Sequence, residues 1–152
     1  MTGESNKMDL RIRDAVPGDE PAIVALVREL GAAGGFETPV REEDAARYLA
    51  SPGCGVLLAE DEGEAVGLLS YSIRFDLFHA ANSCLIDELV VGEGHRGRGI
   101  GGALLDEVIR RAASAGCVEV SVTTMPDNKG AQALYRSKGL DEEAVFLEMH
   151  LS

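Results

Sequence analysis

His95-Arg96-Gly97-Arg98-Gly99-Ile100-Gly101-Gly102 joins an apolar run, Cys84–Val91, directly to the clearest helical pattern in the chain. In that pattern Ile100, Leu104, Val108 and Ala112 recur at i+4 intervals, flanked by Leu105 and Ile109, so a helix is predicted over Ile100–Ala115. The first N–H groups of a helix have no partner within it, and its dipole places partial positive charge there. Glycines let a ligand approach the backbone closely, and Arg96 and Arg98 add full charges. Such a turn suits an anion, most naturally a phosphate or pyrophosphate. A turn made glycine-rich for packing alone leaves the two arginines unexplained.

Two phosphate patterns overlap here. Gly97, Gly99 and Gly102 satisfy G-x-G-x-x-G, the dinucleotide pattern. That pattern usually follows the first strand of its fold, whereas three or four strands precede it here. A dinucleotide-dependent oxidoreductase is therefore a distant reading. No Gly-Lys-Ser/Thr is present for a nucleoside triphosphate. The second pattern is Arg-x-x-Gly-x-Gly at Arg96, Gly99 and Gly101.

Working outward, Leu10–Arg13 alternates and predicts a first strand. Asp19 stands as a helix N-cap before Ile23, Leu26, Val27 and Leu30, whose spacing carries a helix to about Ala33. Glu42–Ala50 is a second helix with an acidic first turn. Strands Val56–Glu60 and Ala65–Phe75 are joined by Asp61-Glu62-Gly63-Glu64 as a hairpin, and Cys84–Val91 is the next strand. On the long helix, Asp106/Arg110 and Glu107/Arg111 are i,i+4 pairs, and Gly116 is the natural cap. Val118–Thr124 is a strand, Pro126-Asp127-Asn128 starts a short helix ending at Gly139, and Ala144–Leu151 alternates as a last strand. The order β-α-α-β-β-β-α-β-α-β predicts an α/β (α+β) fold: a mixed, mostly antiparallel sheet with helices on both faces.

The 152 residues predict one domain over residues 8–152, after a polar, flexible residues 1–7. No apolar stretch approaches the roughly 20 residues of a membrane span, and no secretion signal is read. Cys54, Cys84 and Cys117 are odd in number and not at metal-ligand spacing, and His79, His95 and His150 do not pair. No metal site is expected, and a reducing cytoplasm is the expected setting. The net charge of −12 disfavours nucleic acid and anionic membrane as partners. Residues 1–95 carry 18 acids and 7 bases, while residues 96–152 carry 8 and 7. The glycine-rich turn thus opens the less acidic part of the chain.

The segment Leu85–Gly139 resembles the GNAT superfamily of N-acetyltransferases. The resemblance rests on Leu85-Ile86-Asp87-Glu88-Leu89-Val90-Val91, on Arg96-Gly97-Arg98-Gly99-Ile100-Gly101, on Asn128, and on Ala133-Leu134-Tyr135-Arg136-Ser137-Lys138-Gly139-Leu140. It implies acetyl-CoA as cosubstrate, with Leu89, Val90 and Val91 pairing with the pantetheine arm. Gly97–Gly102, opened by Arg96, take the position of the pyrophosphate loop, and Asn128 that of a pantetheine contact. Tyr135 takes the position of the general acid that protonates the departing thiolate. A phenol supplies that proton without carrying charge beforehand.

An acceptor amine must lose a proton before it attacks, so a base is wanted. Asp87 and Glu88 are the candidates, with Glu88 slightly favoured. Adjacent strand residues face opposite sides, so at most one is expected in a given groove. The family's other position for a glutamate base is Thr123 here. Cys84 and Cys117 have no adjacent His, which favours direct transfer over a thiol intermediate. The acidic first part of the chain points to a cationic acceptor such as a polyamine, an aminoglycoside or a peptide amine. Asp76, Phe78 and His79 in the loop Phe75–Asn82 are candidates for an acceptor wall. Only about a dozen residues follow Gly139, so part of the groove is expected to be built differently, with a homodimer as one solution. The alternative from another class is a non-catalytic acyl-CoA sensor.

Overall fold

A computed structural model describes residues 9–152. The segment 1–7 expected to be flexible, and Met8 as the start of the fold, lie outside the described residues. The order is β1 (Leu10–Asp14), α1 (Glu20–Ala33), α2 (Glu42–Ala50), β2 (Cys54–Asp61), β3 (Glu64–Asp76), β4 (Ala81–Val91), α3 (Ile100–Ser114), β5 (Cys117–Val122) and α4 (Lys129–Ser137). The strands lie in sequence order in one sheet. Each neighbouring pair is antiparallel except β4 and β5, which are parallel. A parallel pair needs a crossover, and α3 supplies it.

Alternation sorts the strand residues onto two cores. On one face Leu57, Leu69, Ile86 and the α3 residues Leu104, Leu105 and Val108 are buried with Tyr135 of α4. On the other, Leu58, Leu68 and Val90 pack under Ile23, Val24 and Leu26 of α1 and Ala45 of α2. Helices thus cover both faces, as the periodicity predicts. Each fully buried Leu contributes about 1.5–3 kcal/mol relative to exposure. Gly67 of β3 lets α3 settle closely: a Cβ there would stand 3.0 Å from Ile100 Cγ2 and 3.3 Å from Leu104 Cδ1.

Three local expectations are corrected. Asp19 holds the N-cap position of α1, but its carboxylate makes no cap bond. It is held instead by the Arg13 fork at 2.8 and 2.9 Å and by the Val16 N–H at 2.7 Å, which turn it away from the first turn of the helix. Arg110 pairs with Glu107 rather than Asp106, because Asp106 faces Lys138, the residue that follows α4, at 3.0 Å. The last strand is the largest correction. Residues 140–152 form no helix or strand, and Val145, Phe146, Leu147, Met149 and Leu151 are all exposed. Alternation states which face a strand would bury; it does not supply the neighbour that makes a strand.

Candidate active site

β4 changes character halfway along. Its first half pairs on both sides: Asn82–Ile86 with β5, and Ala81–Ile86 with β3. Pairing with β5 stops at Ile86 and Val122. From there, among the described residues, Leu89, Val90 and Val91 pair only with Leu69, Leu68 and Gly67 of β3, and their other edge is open. An open strand edge in a cleft offers N–H and C=O groups to an extended ligand.

The open edge leads into the glycine-rich turn. Gly97 and Gly99 take positive φ of 77° and 82°, and a Cβ on either would meet nothing within 4 Å. Gly99 is the N-cap of α3 and no side chain caps that helix. The first bond onto it runs from the Ala103 N–H to the Gly99 carbonyl. The N–H groups of Ile100, Gly101 and Gly102 have no partner among the described residues. This arrangement fits a pyrophosphate. Gly101 and Gly102 answer a different need. Their missing Cβ atoms would lie 3.2 Å from Leu134 Cδ2 and 3.3 Å from Lys138 Cε, so they let α4 dock on the first turn of α3.

The two arginines are partly engaged within the chain. Arg96 Nε donates to the Val91 carbonyl at 3.0 Å, and its guanidinium stands 3.5 Å from Glu29. Arg98 lies 3.8 Å from Asp61. Asn128 caps α4, its side-chain oxygen accepting from the Ala131 N–H at 3.1 Å. Tyr135, on the same helix, has its ring in the α3-side core. Its hydroxyl has no partner among the described residues, and burial pushes the phenol up, which keeps it protonated at neutral pH.

The carboxylates are placed by a bulge. β3 pairs Ser70 with Glu88 but Tyr71 with Ile86, leaving Asp87 as an extra residue. Ile86 and Leu89 both pack on the α3 side. Between them, Asp87 and Glu88 both face α1 and α2, against the expectation that at most one would. Glu88 lines a cavity of about 270 Å³ with Ile23, Val27, Val40, Tyr48 and Ser70. Its carboxylate accepts from the Ser70 hydroxyl, which itself accepts from the Glu88 N–H at 2.9 Å. Burial and the charge of Asp87 raise the Glu88 carboxyl, and the Ser70 bond opposes them. The Tyr48 hydroxyl lies 2.7 Å from Asp87 Oδ2 and 2.9 Å from the Tyr71 carbonyl.

Sequence reading missed Ser70 and Tyr48. Ser70 had a visible signal, a polar residue within the apolar run Ala65–Ile73. Thr123 lies just past the end of β5. The hairpin loop at 77–80 stands apart from the cavity lining. There Asp76 holds His79 at 2.7 Å, and Leu77 and Phe78 are exposed.

Comparison with known proteins gives this geometry its place. Residues 24–140 match the Acetyltransferase (GNAT) family. The chain is 30% identical over 149 residues to thialysine N-epsilon-acetyltransferase of Bos taurus, covering 86% of this chain and 84% of that one. It is 30% identical over 128 residues to aminoalkylphosphonate N-acetyltransferase of Salmonella typhimurium, covering 84% and 82%. Among solved structures, an aminoglycoside acetyltransferase from an uncultured soil metagenomic sample superposes with a TM-score of 0.81 at 26% identity, covering 95% of this chain and 100% of that one. An open strand edge running into an uncapped, glycine-rich helix start thus sits where the family match lies, and the chain is an enzyme of the GNAT N-acetyltransferase family.

Proposed function

We propose that this protein transfers the acetyl group of acetyl-CoA directly to a primary amine, within a single domain over residues 8–152. The observation that carries the reading is the continuity of the open edge at Leu89–Val91 with the unpartnered N–H groups of Ile100–Gly102. The edge takes the pantetheine arm, and Gly97–Gly102 cradle the pyrophosphate. Arg96 and Arg98 border that cradle and add positive charge.

The cavity beside Glu88 takes the amine. Its apolar walls suit the carbon body, and Asp87 and Glu88 attract the ammonium. Glu88 accepts a proton from the ammonium, and the freed nitrogen attacks the thioester carbonyl carbon. The C–S bond breaks with its electron pair on sulfur, the Tyr135 hydroxyl donates a proton to that sulfur, and the second proton lost by the nitrogen passes through water to the Tyr135 phenolate, leaving the amide, the free thiol and the neutral phenol. Cys84 is buried and its thiol is pushed up to about 11. Burial also raises Cys117. Neither is an activated nucleophile, in keeping with direct transfer and a reducing, cytoplasmic setting.

A cationic acceptor agrees with the two adjacent carboxylates. The cavity is small, and Thr38 is shared with a wider, open hollow between the end of α1 and the connection that leads to α2. That hollow carries Arg28 and Arg41 against Glu37, so the attraction for a cation is confined to the cavity beside Asp87 and Glu88.

Calorimetric titration with acetyl-CoA, using NADPH as comparator, tests the cosubstrate. Saturable binding of acetyl-CoA alone is expected, followed by turnover on a panel of amines. Tyr135→Phe should keep that binding and lower kcat about 100-fold or more. Unchanged turnover in that variant would remove Tyr135 from the mechanism. Absence of acetyl-CoA binding would remove the cosubstrate assignment.

A further inference from the structure

The two spaces beside α1 carry opposite charge. The small cavity has the carboxylates of Asp44 and Glu88 in its lining, with apolar walls from Ile23, Val27 and Leu68. The hollow, of about 820 Å³, is lined by Arg28 and Arg41 with Glu37, so two cations against one anion leave its lining a net of +1. Two arginines in one place run against a stretch of chain, residues 1–95, that holds 18 acids and 7 bases. Thr38 lines both spaces, so they meet along the connection that leads to α2.

That junction is fixed to α1. Arg28 Nη2 donates to the Val40 carbonyl at 2.9 Å, and Val40 itself lines the small cavity. The bond uses one of the five N–H donors of a guanidinium. Arg28 makes no ion pair among the described residues. Thr38 Oγ1 accepts from the Val40 N–H at 3.3 Å, which leaves its own proton to donate. Arg41 stands 3.6 Å from Glu43 with both side chains 74% exposed, a pair that water screens and that a ligand can displace. A guanidinium pinned by a carbonyl, a second beside it and a hydroxyl suit an oxyanion. A polyamine or an aminoglycoside would set its second cation against Arg28. A molecule with an ammonium at one end and an oxyanion at the other matches both spaces.

We propose that the acceptor is a zwitterionic amine whose ammonium enters the cavity beside Glu88 and whose carboxylate or phosphate is held in the hollow by Arg28, Arg41 and Thr38. The inference rests on the acetyl-transfer reading and sets the acceptor class within it.

Steady-state turnover with acetyl-CoA on a matched series tests this. The ω-amino carboxylates and ω-aminoalkyl phosphates of increasing chain length are compared with the alkylamine and the diamine of each length. At the preferred length one or both oxyanions should raise kcat/KM about 10- to 100-fold over the alkylamine, mainly through KM, and the diamine should fall below it. The larger gain tells carboxylate from phosphate. Arg28→Gln should bring the ratio of oxyanion-bearing to plain amine close to one, and Arg28→Lys, a charge without the fork, should keep part of it. If Arg28→Gln fails to fold, Arg41→Gln removes the second guanidinium without touching the Val40 bond and should lower the ratio as well. Arg11→Gln removes the same charge from an exposed position on β1 and should leave the ratio as it is. A ratio that Arg11→Gln and Arg28→Gln lower equally would reduce the effect to net charge and overturn the proposal. Turnover of alkylamines or diamines with no gain from an oxyanion would overturn it too, while acetyl transfer stands. No turnover of any amine in the series, by protein that binds acetyl-CoA, would overturn the transfer reading itself and this inference with it.

Discussion

The two halves of β4 belong to one strand and do different work. Ala81–Ile86 is enclosed, paired with β3 on one side and β5 on the other. Asp87–Val91 has lost one neighbour and gained a bulge. In the first half backbone groups are spent on the sheet, and Cys84 and Ile86 are spent on the core. In the second half an edge is left free, and two carboxylates turn to the same face. One extra residue separates scaffold from site. It breaks the alternation at the point where Asp87 and the proposed base, Glu88, come to share a face.

That division predicts opposite signatures for substitutions only two residues apart. Glu88→Gln should lower kcat/KM about 100- to 10,000-fold, the range of a general base. It should do so without loss of stability. Burial raises the Glu88 carboxyl, so the folded state holds its proton more tightly than the unfolded one. A penalty on folding therefore grows as pH rises from the ordinary carboxylate range through the raised value. Glu88→Gln removes it, and thermal melts should show a higher Tm for the variant at neutral pH, converging with the parent in acid. Ile86→Ala should do the reverse. Ile86 is 2% exposed, and its truncation leaves a cavity costing about 2–5 kcal/mol. Denaturant unfolding should report that loss, while kcat/KM per folded molecule stays within a few-fold. If Ile86→Ala lowers turnover as Glu88→Gln does, the halves are not separable.

Much of the comparison was legible before any coordinates. Period-two and period-3.6 patterns placed β2 to β4, α1 and α3 because each buries an apolar stripe, as Leu104, Leu105 and Val108 do, whereas α2, with Ala45 alone buried, was legible from its acidic first turn. The glycine-rich turn was legible because the need for positive φ at Gly97 and Gly99 is local. The bulge was not, since it depends on which β3 residue meets which β4 residue, and no property of Asp87 alone shows that. The separate reasons for the glycines were also hidden: Gly101 and Gly102 face α4, a contact across more than thirty residues of chain. Ala144–Leu151 shows the limit from the other side. Its pattern is that of a strand, but pairing is non-local, and no partner strand meets it among the described residues.

The smallest effect probes the bulge most finely. Tyr48 of α2 reaches both sides of it, lying 2.7 Å from Asp87 Oδ2 and 2.9 Å from the Tyr71 carbonyl. Tyr48→Phe keeps the ring and removes the hydroxyl, at a cost of about 1 kcal/mol. Asp87 is exposed, so its freed carboxylate can turn to water. Its negative charge then moves away from Glu88, one of the causes holding that carboxyl up. The acid limb of the kcat/KM profile should therefore shift to lower pH in Tyr48→Phe, as it should in Asp87→Asn. Ser70→Ala removes a bond that favours the charged Glu88, so its limb should move to higher pH. Shifts of opposite sign from two neighbours of one carboxylate would identify Glu88 as the titrating base. A limb that ignores all three variants would assign the proton to another group, and leave the bulge as a feature of packing alone.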